Sequence, residues 1–79
     1  MEPESLFSSD QIQTDDILRY FEFKHLPMHL QEHSIPFGEM AKRLLETTPR
    51  CPERTVALRK LLEAKDAAVR AALWKPIQA

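Results

Sequence analysis

One glycine, Gly38, and one cysteine, Cys51, stand in a chain of 79 residues. Without a second thiol there is no internal disulfide, and no Cys–His spacing of a zinc site occurs. A phosphate-binding loop needs several glycines for close backbone approach, so one glycine excludes it. Apolar runs stay well short of the roughly 18 residues of a membrane span. No basic–apolar–small N-terminal signal is present, and a soluble protein of the cytoplasm is expected. No Ser/His/Asp or Cys/His order stands out, so the chain is not expected to be an enzyme or to carry a cofactor.

Proline is comparatively plentiful, with six residues, and punctuates the chain. Thr47-Thr-Pro-Arg-Cys-Pro-Glu53 ends one long apolar-striped segment and starts another. Pro49 and Pro52 cannot continue an arriving helix, whereas Pro52 suits the first position of a new one, with Glu53 beside the positive end of its dipole. Two long amphipathic segments joined by so short a turn predict an antiparallel helical hairpin. The fold class is therefore all-α: a hairpin preceded by a short N-terminal helix.

Residues 1–13 hold Glu, Ser and Gln and read as a flexible acidic leader that frays or docks on a neighbour. Residues 14–79 read as the single domain. Thr14 looks like an N-cap, with Asp15 and Asp16 in the first turn of a short helix through Ile17, Leu18, Tyr20 and Phe21. Tyr20, Phe21 and Phe23 either cap the hairpin core or leave Tyr20 free to stack on a ligand base. Leu26-Pro27 restarts the chain. From there Leu30, His33, Ser34, Phe37, Met40, Ala41, Leu44 and Leu45 recur at helical spacing, with a kink or a junction of two helices expected at Ser34 to Pro36. After the turn, Val56, Leu58, Leu61, Leu62, Val69 and Leu73 form an apolar side beside a second stripe of small residues that includes Ala64, Ala68 and Ala71. Arg59 with Glu63, and Asp66 with Arg70, are spaced for pairing. The helix must stop at Trp74, before Lys75-Pro76.

Two or three helices of this length bury little surface, and chains of this size usually need a staple or a partner. Oligomerisation is the staple left over. Its expected interface comprises Phe21, Ala64, Ala68, Ala71 and Trp74, since an exposed indole is costly in a monomer. Formal charge is −1, but residues 1–16 contain five acids and no base, which leaves +4 on residues 17–79. Such a basic hairpin favours a phosphate-bearing ligand or simply carries solvated charge. Arg50 and Arg54, with the amides at the start of the last helix, form a weak candidate anion site. Lys42 and Arg43 complement the dipole of their own helix end. His25, His29 and His33 are four apart, but Pro27 separates the first from the others. Two imidazoles make an incomplete site, so no metal is expected. Cys51 reads as a packing or capping thiol.

Pro49-Arg-Cys-Pro-Glu53, followed by Thr55-Val-Ala-Leu-Arg-Lys-Leu-Leu-Glu-Ala64 and Ala67-Ala-Val-Arg-Ala71, resembles the C-terminal half of a family of small phage proteins. The family includes the cyclic-nucleotide sponges that counter CBASS immunity, and a related hairpin occurs in sponges that counter Thoeris. Short uncharacterised proteins of actinobacterial phages are similar too. The resemblance covers about residues 17–73 and implies a hexamer of helical hairpins that binds cyclic di- or trinucleotides without cleaving them. It implies ligand-binding roles for Tyr20, as the stacking aromatic, and for Arg70, as the late arginine of a pocket between protomers. The position of the family's basic residue in the second helix falls near Ile35, beside Pro36, and His33 and Lys42 are the nearest substitutes. The alternative from another class is a small protein-interaction module that docks on a host or phage protein through Trp74, the alanine stripe and the aromatics. A DNA-binding helix-turn-helix is disfavoured by the proline-rich turn and the mixed charge of the last helix.

Overall fold

The computed structural model describes residues 6–75. Among them all regular structure is helical: α1 (Ser9–Thr14), a 3₁₀ helix η1 (Asp16–Phe21), α2 (Met28–Thr47) and α3 (Pro52–Leu73). No helix among the described residues is long and apolar enough to cross a membrane.

Residues 6–14, part of the segment expected to fray or dock on a neighbour, dock on their own chain. A helix of six residues cannot hold itself together in water, and local chemistry secures this one. Ser8 Oγ accepts from the Gln11 amide at 3.1 Å while Gln11 Oε1 accepts from the Ser8 amide at 2.9 Å, a reciprocal capping box. Phe7, just before the cap, and Ile12, in the first turn and a half, both join the hydrophobic core, the positions of a hydrophobic staple. Thr14 accordingly closes α1 and does not cap the next helix. Asp15 takes the cap position of η1 but makes no capping hydrogen bond. Its carboxylate is committed elsewhere, to Arg54.

η1 packs against both long helices. Asp15, at its start, meets Arg54 of α3 at 2.9 Å, and the Tyr20 carbonyl, near its end, accepts a hydrogen bond from the Lys65 ammonium. It therefore runs along α3 in the same sense. Lys65 is buried, and its ammonium satisfies a carbonyl that the end of a short helix leaves without an intrahelical donor. Leu18 and Phe21 project from η1 into the core against Leu58 of α3 and Ala41 of α2, and the Phe7 ring meets the Phe21 ring edge-on at 6.5 Å. Phe21 is fully buried in its own subunit. It is a core residue and not the interface residue expected from the sequence.

α2 is one helix through Pro36, not two meeting there. The ring and the Glu32 residue whose carbonyl loses its donor both lie on the exposed side, where water can take the missing partner's place. The inner side of α2 is built from Leu30, Ser34, Gly38 and Ala41. Gly38 has no positive φ; its role is to leave room. A methyl group there would stand 2.4 Å from Leu6 Cδ1, the movable end of a side chain, and at an ordinary contact distance of 3.5 Å from the Phe21 carbonyl, so the glycine makes room for the Leu6 side chain. The helix closes with Thr47 Oγ1 donating to the Arg43 carbonyl at 2.8 Å and Thr48 Oγ1 to that of Leu44 at 2.6 Å.

Ser34 is fully buried, and its hydroxyl has no hydrogen-bond partner among the described residues. An unpaired buried hydroxyl costs on the order of 1–3 kcal/mol. Ser34→Ala is therefore expected to raise stability by about 1 kcal/mol in urea unfolding, with the slope unchanged; a drop in the midpoint would mean that the hydroxyl is paired after all.

α3 begins at Pro52 in the first helical position and stops at Trp74, as the sequence implies. Its inner side is narrower than expected. Leu58 and Lys65 are buried, whereas Val56 and Leu73, which the spacing places with the core, are exposed. The expected pairs along its outer face are replaced: Glu63 reaches back to Lys60 at 3.8 Å, and Asp66 faces Lys65 at 3.7 Å. Arg59 and Arg70 thus have no ion pair among the described residues.

Candidate functional site

Between η1 and the first half of α3 runs a hollow. Its larger part, about 540 Å³, has Thr14, Asp15, Asp16 and Ile17 on one wall and Arg50, Cys51, Pro52, Thr55 and Arg59 on the other. A second part, about 450 Å³, is lined by Asp16, Ile17, Tyr20, Arg59 and Leu62. Asp16, Ile17 and Arg59 belong to both, so the two parts are continuous. Each falls within the usual size range of small-molecule sites, roughly 300–1,000 Å³.

The wall charges do not cancel. Asp15 and Arg54 neutralise each other: their side chains are 10% and 9% exposed, and Arg54 also donates to the Thr48 carbonyl at 3.2 Å. Arg54, expected to hold an anion, is instead the strut that joins the α1–η1 junction to the start of α3. Asp16 is bridged by Arg19 at 2.6 Å. Arg50 and Arg59 remain, both exposed and without an acidic partner among the described residues. The start of α3 adds little. Pro52 has no N–H, and the Arg54 and Thr55 amides already donate to the Cys51 carbonyl at 3.1 and 3.2 Å. Attraction for an anion in this hollow therefore comes from two guanidiniums, which suit phosphate geometry.

Tyr20 is 56% exposed and lines the hollow beside Arg59 and Leu62. Its neighbour Phe21 fills the core, so of these adjacent aromatics one is buried and the other is left exposed. The other expected ligand residues lie apart from it. Lys42 borders a separate shallow groove on α2 with Pro36, Glu39, Met40, Arg43 and Glu46. His33 is exposed on α2 and Arg70 on the last turns of α3, and neither lines the hollow. His25 sits in the turn before α2, and no group of three or more side chains suited to a metal forms among the described residues.

The sequence reading missed Arg59, which it assigned to a pair with Glu63. The competing Lys60, three residues from that acid, was the available signal. Of the expected interface set, Ala64, Ala71 and Trp74 are exposed and Ala68 is half-buried. Trp74 is 71% exposed and Met28 84%. Compared with known protein families, curated proteins and solved structures, the chain matches none of them.

Proposed function

We propose that this protein binds and sequesters a phosphorylated nucleotide, of the cyclic di- or trinucleotide class, without cleaving it. The binding unit is an antiparallel helical hairpin with a short N-terminal helix, assembled with further copies of itself into an oligomer, with a hexamer as the form the resemblance suggests. A phage origin and action in the host cytosol, against nucleotide-signalled immunity, belong to the same reading. The observation that carries it is the hollow between η1 and α3, where the exposed Tyr20 faces Arg59 in one part and Arg59 and Arg50 line the other. A base stacked on an aromatic ring contributes roughly 1–3 kcal/mol, and a hydrogen bond to a charged group about 1.5–3.

The subunit alone encloses such a ligand on one side only. His33, Lys42 and Arg70 take part in binding only where a second copy carries them to the hollow of the first. Sequestration needs a closed, water-poor pocket and no general base, and assembly is how a domain this small obtains one.

Titration calorimetry and thermal shift against cyclic di- and trinucleotides test the reading. A ligand should raise the melting temperature, and Tyr20→Ala and Arg59→Ala should each weaken its binding at least tenfold while leaving the fold unchanged. Absence of any stabilisation would overturn it. That result would favour a second reading, a protein-interaction module, for which the exposed Trp74, Leu73 and Met28 supply an apolar anchor.

A further inference from the structure

α3 carries a second face, opposite the core, that none of the described residues covers. Lys60, Glu63, Ala64, Ala67, Arg70, Ala71 and Trp74 recur at three- and four-residue intervals and are all exposed. At 100° per residue they fall within one stripe along the helix. Its middle holds alanines alone, flanked by charges of opposite sign, and it ends in an indole. Small central side chains permit close approach of another helix, toward the lower end of the usual 8–10 Å interaxial range.

Charge decides which helix fits there. Glu63 stands four residues before Ala67, about 6 Å along the axis, and Arg70 three residues after it, about 4.5 Å. Lys60 and Trp74 stand about 10 Å to either side. Laid parallel on itself, the stripe sets Glu63 against Glu63, Arg70 against Arg70 and Lys60 against Lys60. Laid antiparallel about Ala67, it sets each Glu63 against an Arg70 and each Lys60 against a Trp74, whose ring face attracts an ammonium. The Lys60–Glu63 contact within the subunit, 3.8 Å and well exposed, is weak enough to yield.

We infer that this stripe is the contact between two copies of the chain, paired antiparallel across a two-fold axis at Ala67. The arrangement is isologous, each patch meeting its own copy. It gives Arg70 a place in the contact between copies that needs no ligand, and the hollow beside Tyr20 lies along the flank of the stripe, with Arg59 four residues before Glu63. The inference rests on the oligomeric part of the proposed function and not on the ligand.

The test is sedimentation velocity at 5–100 µM, roughly, on the full chain and on variants at exposed positions, with far-UV circular dichroism to establish that each is folded. The wild-type protein should sediment as a dimer or a multiple of it. Glu63→Arg and Arg70→Glu should each weaken self-association at least tenfold. Mixing these two variants, or combining them in one chain, should restore it, because both Glu–Arg contacts then re-form. A monomeric wild type would overturn this inference together with the proposed assembly. An oligomer indifferent to either single change, or no recovery in the folded double variant, would overturn this interface alone.

Discussion

Phe21→Ala should cost about 3–5 kcal/mol, the usual range for removing a fully buried phenylalanine. A chain of this length has a total stability of roughly 4–12 kcal/mol at 0.05–0.15 kcal/mol per residue, so the variant is expected to lose between about a quarter and all of it. The size of the effect follows from position. Phe21 clusters with Phe7, Leu18, Ala41 and Leu58, from the N-terminal segment, η1, α2 and α3, and it is the largest of the fully buried side chains there. Tyr20→Ala, one residue away and exposed, should change stability by less than about 0.5 kcal/mol. Urea unfolding of the pair makes the comparison. If Phe21→Ala kept the wild-type midpoint and changed only the oligomer mass, the residue would belong to an interface after all.

The second large effect is expected at Arg54. Asp15 and Arg54 are each about nine-tenths buried, and removing one partner of such a pair leaves a charge without compensation, at a typical cost of 3–5 kcal/mol. Arg54→Met should approach that figure, increased slightly by the loss of the hydrogen bond to the Thr48 carbonyl. Asp15→Leu combined with Arg54→Met should recover most of the loss, because the pair is costly to break but not costly to replace by apolar groups of similar volume. The exposed Asp16–Arg19 bridge provides the internal contrast: Arg19→Ala should cost under about 1 kcal/mol. Equal and small effects at Arg54 and Arg19 would show that the Arg54 pair is solvated.

The sequence left Phe21 two places, the hairpin core and an interface, and put Arg54 at an anion site; the structure decides each for a different reason. Phe21 is one of three aromatics within four positions, and spacing alone does not say which turns inward. The short helix is 3₁₀ in form, with three residues per turn, so the side chains one turn apart are Leu18 and Phe21, and Tyr20 faces out. Arg54 belongs to a helix start where an anion site is a reasonable expectation; what cancels it is Asp15, 39 residues away in sequence. The capping box at Ser8 and Gln11 has a local signature that the reading of residues 1–13 as a flexible leader passed over. Ser-x-x-Gln after a phenylalanine and before an isoleucine is a helix-start signature, obscured here by the acidic composition around it. Lys65 offered no local cue at all, because only the end of η1 explains a buried ammonium.

The all-helical character, the two long helices with their limits at the Thr47–Pro52 turn and at Trp74, and the lack of any disulfide frame were decided by the sequence alone, whereas the division of the N-terminal part into α1 and the 3₁₀ helix η1 was not. Those features depend on dihedral limits, missing donors and periodicity within a few residues of one another. Which aromatic is core and which is free, which arginine is a strut and which can meet a ligand, and which side of α3 stays uncovered were decided only by tertiary structure. Each depends on a partner distant in the chain, and the free energy of burial or of charge pairing is set by what that partner brings to the same few ångströms.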